Sequence, residues 1–271
     1  MLDTLFSMFS YSFMQRALLV GLLVSPCAAL LGVSLVLRKY AMIGDGLSHV
    51  GFGALSVALV LGASPLQVSI PIVVLAAFLL LRLSEHSRVG GDAAIAMVST
   101  TAIATGVIVT SLSSGMQTDI YDFMFGSILS MTKSDLVLSL VLSAAVLVLF
   151  ILFYRRIFAI TFDESFARAS GTKTRLYTML VALLTAITIV VGMRIMGTML
   201  ISSLIIFPAL TAMQVFRSFR GVTICAAVVS LVAFALGLIT SFLLSLPTGA
   251  CIVLCNLLFF CLAKCVHIIK H

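Results

Sequence analysis

The sequence predicts an all-α, polytopic integral membrane protein with eight or nine transmembrane helices, and three observations predict it. Of 271 residues, 62% are hydrophobic and 9% are charged, with a mean hydropathy of +1.29. A soluble domain of this length needs far more polar surface to cover its core. The apolar runs approach the roughly 20 residues a helix needs to cross the hydrocarbon, and they are too continuous for the alternating strands of an outer-membrane barrel. The breaks between runs carry turn-forming residues.

In chain order, the runs are 13–37, 41–61, 66–83, 93–112, 136–153, 176–192, 195–216, 222–246 and 248–266. The leading MLDTLFSMFSYSFMQR carries Asp3 and no basic cluster, so it is a poor secretory signal. Val24-Ser25-Pro26-Cys27 superficially matches a lipoprotein cleavage site, but Pro26 and the continuing apolar run argue against one. Gly62-Ala63-Ser64-Pro65, Val89-Gly90-Gly91-Asp92, Ser113-Ser114-Gly115 and Pro247-Thr248-Gly249 punctuate the breaks. Pro26, Pro71 and Pro208 fall inside runs, where neighbouring helices re-satisfy the freed carbonyls. If the Met193-Arg194-Ile195-Met196-Gly197 junction is organised otherwise, the count falls to eight and one terminus changes side.

With the N-terminus outside, thirteen of the sixteen basic residues fall on the inner side, leaving Arg16, Lys133 and Arg194 outside. The positive-inside rule favours that orientation: a multi-pass inner-membrane protein with its C-terminus in the cytoplasm. The net charge of +7 therefore reflects topology and not nucleic-acid binding. Two connections exceed a turn. The outer one, about 113–135, carries Asp119, Asp122 and Asp135 against Lys133, and its DFMFGSILSM patch predicts a short interfacial helix. The acidic residues could concentrate cations at an outer vestibule, Asp119 and Asp122 foremost, though an ordinary hydrated loop explains them as well. The inner connection, about 154–175, is the most polar stretch of the chain.

The second run contains Ile43-Gly44-Asp45-Gly46-Leu47-Ser48-His49-Val50-Gly51-Phe52-Gly53. Asp45 and His49, four apart, share one helix face. A carboxylate at the centre of a spanning helix costs about 2.5–3.5 kcal/mol on insertion scales, so such residues mark ion routes or pair with a partner. Carboxylate plus imidazole suits a divalent transition metal. The competing account pairs Asp45 with Arg38 or Lys39, with no ion involved. The surrounding glycines permit either close helix packing or a locally unwound stretch. An intramembrane aspartyl protease is excluded because Met42 stands where its first glycine belongs, and Tyr121-Asp122 comes in the wrong order. Neither HExxH nor GxSG occurs.

The segment Gly44–Gly53 following Arg38-Lys39-Tyr40-Ala41-Met42 resembles the second-helix hallmark of permease subunits of ABC-type zinc/manganese/iron importers. The run from Val191 through Gly197-Thr198-Met199-Leu200-Ile201-Ser202-Ser203 to Ala212 is similar too, as are Arg16–Gly21, Phe125–Leu129 and Pro247-Thr248-Gly249. The likeness spans the chain as a single transmembrane permease domain, 1–271, of the type II ABC importer architecture. It implies a non-enzymatic transport subunit with no permanently bound cofactor. Its cargo would be a divalent metal, zinc first and manganese or ferrous iron next, with Asp45 and His49 as path ligands. It implies three partners: a cytoplasmic ATPase dimer, an extracytoplasmic metal-binding protein, and a second permease copy or paralogue. Asp163, Glu164, Ala167 and Gly171 match the family's coupling loop, and the absence of GxxxxGK[ST] agrees with a separate ATPase. The alternative is a related permease for cobalamin or iron-siderophore chelates, which has no need of an Asp/His pair. A secondary transporter is disfavoured because no internal repeat is evident.

The six cysteines, all in apolar segments, read as packing residues, as do the thirteen methionines. His86, His267 and His271 fall at inner ends, and Arg194 is a candidate partner for an outer aspartate.

Overall fold

A computed structural model describes residues 10–86, 91–112 and 133–270. Among these residues eleven helices follow one another: α1 (Ser12–Leu37), α2 (Ala41–Val60), α3 (Pro65–His86), α4 (Gly91–Leu112), α5 (Lys133–Leu152), α6 (Tyr154–Phe162), α7 (Glu164–Ala169), α8 (Thr174–Met196), α9 (Thr198–Val215), α10 (Phe219–Leu244) and α11 (Thr248–Lys270). Among the described residues, nine are long and apolar enough to cross a membrane, every one except α6 and α7. The spans expected from hydropathy are all present.

Burial sorts the spanning helices into two shells. α1, α2, α8 and α9 are mostly enclosed; α3, α4, α5 and α11 expose most of their length, as helices facing lipid do. α1 packs against α9, α10, α8 and α5, while α2 packs against α4, α3, α9 and α8. Many hydroxyls within the spans are satisfied locally: Thr185, Thr188 and Thr211 each donate to the carbonyl four residues earlier. Hydrocarbon offers no water to take those bonds, so this economy is what permits serine and threonine there.

Two boundaries differ from expectation. Hydropathy places the break between the sixth and seventh spans at Arg194, yet α8 runs through it to Met196. Gly197, at φ +83°, ends the helix in a conformation that side chains resist. Arg194 stays helical because its Nη2 meets Asp135 Oδ2 at 2.9 Å, with both side chains almost fully enclosed. Asp135 is therefore a buried residue of the first turn of α5 and not part of a hydrated outer loop. The remainder of that loop, including Asp119, Asp122 and the expected interfacial helix, lies outside the described residues.

The inner connection forms α6 and α7, packed against each other. Asp163 caps α7 by accepting from the Phe166 N–H at 2.8 Å, Glu164 occupies its first turn, and Gly171 at φ +81° follows its end. An acidic start and a glycine stop are the signals that bound a helix this short.

Candidate functional site

α2 is buried on almost every side, so the exceptions are informative. Between Ile43 and Ser56 only Asp45 and His49 are not buried, their side chains 40% and 28% exposed. The helix is unbroken across the pair, so its glycines serve close packing and not unwinding. A Cβ on Gly53 would lie 2.7 Å from the Ala102 carbonyl oxygen of α4, and one on Gly46 would press Ile95 and Ser99 of the same helix. Gly44 sits against Ile205 of α9, and Gly51 against Met193 of α8. Glycines on several faces thus sink α2 into its neighbours, leaving one polar strip open between α4 and α9.

Within that strip His49 Nε2 lies 3.6 Å from Asp45 Oδ2. Two donors bound to one tetrahedral metal at about 2.1 Å each stand about 3.4 Å apart, so the pair is spaced to close on an ion with small rotations. Ser48 Oγ donates to the Asp45 carbonyl at 2.7 Å and meets Ser202 Oγ of α9 at 3.2 Å. By residue count His49 is about 12 Å from the start of α2 at 1.5 Å per residue, near mid-membrane.

Among the described residues, the ion pairs of the arginines go to Glu164 and Asp135 and not to Asp45. Arg38, the cation best placed by sequence to neutralise Asp45, turns instead to α7 and α8. Its Nη2 meets Glu164 Oε2 at 2.7 Å and its Nη1 donates to Thr178 Oγ1 at 3.0 Å. Glu164 holds Arg168 with its other oxygen at 3.1 Å. The account in which Asp45 pairs with Arg38 therefore fails on geometry. Ala167 of α7 is buried, while Phe166 projects outward.

Among the described residues, no group of three or more His, Cys, Asp or Glu side chains gathers to hold a metal. All six cysteines are free. Cys261 and Cys265 face outward from α11, consistent with apolar use. His267 Nδ1 lies 3.1 Å from the Gln214 carbonyl, which ties the ends of α11 and α9. Sequence reasoning found Asp45 and His49 because they are neighbours on one helix. Ser202 went unassigned, although it falls inside the second segment that carried the family resemblance.

Among the described residues, nine helices of spanning length and a half-open strip carrying a carboxylate and an imidazole on α2 define a polytopic membrane protein with an ionisable site in a spanning helix. The chain belongs to the ABC 3 transport family, whose model matches residues 10–267. The manganese transport system membrane protein MntC of Halalkalibacterium halodurans is 30% identical over 94% of this chain and 87% of its own. A Haemophilus influenzae protein named a probable iron transport system membrane protein is 32% identical over 97% of both chains. A solved structure, PsaBC from Streptococcus pneumoniae in complex with Fab, superposes with a TM-score of 0.86 at 27% identity, covering 96% of this chain and 94% of that one. The protein is a membrane permease of that family.

Proposed function

We propose that this permease carries a divalent transition-metal ion into the cytoplasm, driven by ATP hydrolysis in a separate ATPase dimer. A metal-binding protein delivers the ion from outside. The N-terminus faces outside and the C-terminus the cytoplasm. The observation that carries the reading is the open Asp45/His49 strip in a stretch of α2, Ile43 to Ser56, that is otherwise buried. An ionisable pair at that depth is expensive unless it serves a passing charge. Two donors per chain bind weakly enough for release, and a second copy or paralogue facing the strip doubles the set.

One carboxylate and one imidazole accept manganese, ferrous iron and zinc alike. The relatives named for manganese and iron support those two, and competition by zinc measures the third. α7 is the contact to the ATPase: Asp163, Glu164 and Gly171 shape it, and buried Ala167 seats it on the bundle. Asp119 and Asp122 belong to the outer vestibule in this reading.

The test is uptake of radioactive manganese and iron by cells carrying His49→Ala or Asp45→Asn, alongside purification of the permease with its ATPase. Uptake should fall to background while the complex still assembles. Wild-type uptake by either variant would refute the path assignment.

A further inference from the structure

A groove of about 300 Å3 opens on the flank of the bundle where α1, α5, α6 and α10 meet. α5 and α10 both pack on α1 and form no packed face with each other, so a gap runs between them. Leu30 and Phe150, both buried, floor it, and the exposed Ile151 and Ile224 rim it. The Thr223 hydroxyl on its wall already donates to the Phe219 carbonyl at 2.7 Å, which leaves the interior apolar. Polar groups stand at one end only. Arg220 lies one turn of α10 before Ile224, and Tyr154 lies one turn after Phe150, with 6.4 Å between the ring centroids.

That end carries an unbalanced charge. Among the described residues, the exposed Arg220 makes no ion pair or hydrogen bond, and the Tyr154 hydroxyl has no hydrogen-bond partner. No carboxylate lines the groove. The Tyr154 ring packs on Phe219, the neighbour of Arg220 in the first turn of α10, at 5.4 Å between centroids, which brings the two donors to the same end. The groove is also separate from the Asp45/His49 pair: α2 packs against α3, α4, α8 and α9, whereas α5 and α10 pack on α1.

We propose that the groove holds an anionic phospholipid of the cytoplasmic leaflet, its phosphate on Arg220 and Tyr154 and part of one acyl chain between α5 and α10. The inference rests on the orientation proposed above, which sets the start of α10 at the cytoplasmic surface. A guanidinium and a phenol both donate to phosphate oxygens, and a basic pocket between helices on the cytoplasmic side suits an anionic headgroup. Headgroup level is also where a tyrosine, apolar in body and polar at the tip, belongs. The headgroup balances the unpaired guanidinium, and the chain covers Leu30 and Phe150 between the two isoleucine rims. A free phosphate offers the same oxygens without the chain, and a second copy of the permease is the rival occupant of the apolar part.

The experiment places the full-length permease with its ATPase in phosphatidylcholine bilayers with and without phosphatidylglycerol, and reads the lipid it retains by native mass spectrometry. Wild type should retain phosphatidylglycerol, and Arg220→Gln should retain it roughly fivefold or more weakly, as one headgroup-facing arginine implies. Arg220→Lys should keep most of the retention, which separates lost charge from lost fold. Ile224→Trp, at an exposed rim, should fill the groove and expel the lipid with the charge untouched. Arg155, exposed and next to Tyr154 but outside the groove, supplies the control: Arg155→Gln should retain lipid as wild type does. Equal retention by wild type and Arg220→Gln overturns the site. So does a loss in Arg155→Gln as large as in Arg220→Gln, or full displacement of the lipid by inorganic phosphate. An Ile224→Trp permease that keeps its lipid but changes oligomeric mass overturns it too, and assigns the groove to a second copy. Retention is read without metal and whichever leaflet supplies the lipid, so failure of the His49 experiment would leave this result readable.

Discussion

The buried pair between Asp135 and Arg194 gives the sharpest energetic test of the fold. The two side chains are 11% and 13% exposed, and the Arg194 Nε already lacks a hydrogen-bond partner. Asp135→Ala would leave a guanidinium enclosed with its counter-charge gone, a loss of about 3–5 kcal/mol for a buried pair. That corresponds to roughly two to four powers of ten in the folded-to-unfolded ratio. Removing both charges in Asp135→Leu/Arg194→Met leaves no enclosed guanidinium without its counter-charge and should cost clearly less than the single variant. The chain has no tryptophan, so unfolding is best followed by thiol labelling. Cys27 and Cys251, both buried, react with a fluorogenic maleimide only once the bundle opens. The single variant should lower the unfolding temperature by roughly 6–20 °C, and the double variant should restore most of that. If the double variant unfolds with the single one, or the single one unfolds with wild type, the pair does not stabilise α5 against α8 as argued.

Three further expectations use the same preparations. Gly53→Ala brings a methyl 2.7 Å from the Ala102 carbonyl oxygen, where backbone must shift; overpacking of this kind costs about 1–3 kcal/mol and should lower the thiol-labelling temperature. Asp163→Ala removes the cap on the Phe166 N–H, about 1 kcal/mol, and should raise amide exchange across 164–169 without moving the global transition. Arg38→Gln cuts the ties to Glu164 and Thr178; ATP hydrolysed per metal ion imported should rise several-fold, and an unchanged ratio would count against a coupling role.

What the sequence made legible follows from which interactions are local. Hydropathy runs of spanning length located every spanning helix, because lipid demands the same continuous apolar stretch of each. The Asp45/His49 pair was visible because four residues in a helix are a contact. The glycines of α2 announced something unusual but not which alternative, since packing and unwinding need the same residue and only the neighbours decide. Arg194 misled because an arginine in an apolar run looks like an exit from the membrane. Its partner is 59 residues away, and the helix breaker is the glycine three positions on. Arg38 was counted for topology and weighed only as a partner for nearby Asp45, because its actual partner Glu164 lies 126 residues away. Ser202 reaches the site only through the packing of α9 on α2.

These non-local contacts connect α7 to the Asp45/His49 pair through Arg38. α1 turns into α2 through Lys39 at φ +61°, with the Tyr40 N–H held by the Leu35 carbonyl. The turn is short and braced, so force on Arg38 passes into the start of α2. Arg38 is gripped by Glu164 of α7, the segment proposed to meet the ATPase. From Arg38 to Asp45 is seven residues, and α2 continues unbroken through His49. In the transport reading proposed above, a displacement of α7 is transmitted to Asp45 and His49 together, beside Ser202 of α9. A rigid rod between two packed positions is the kind of element that two-state gating requires. In the transport reading proposed above, the close packing of the α2 glycines keeps the helix one rigid body across Asp45 and His49.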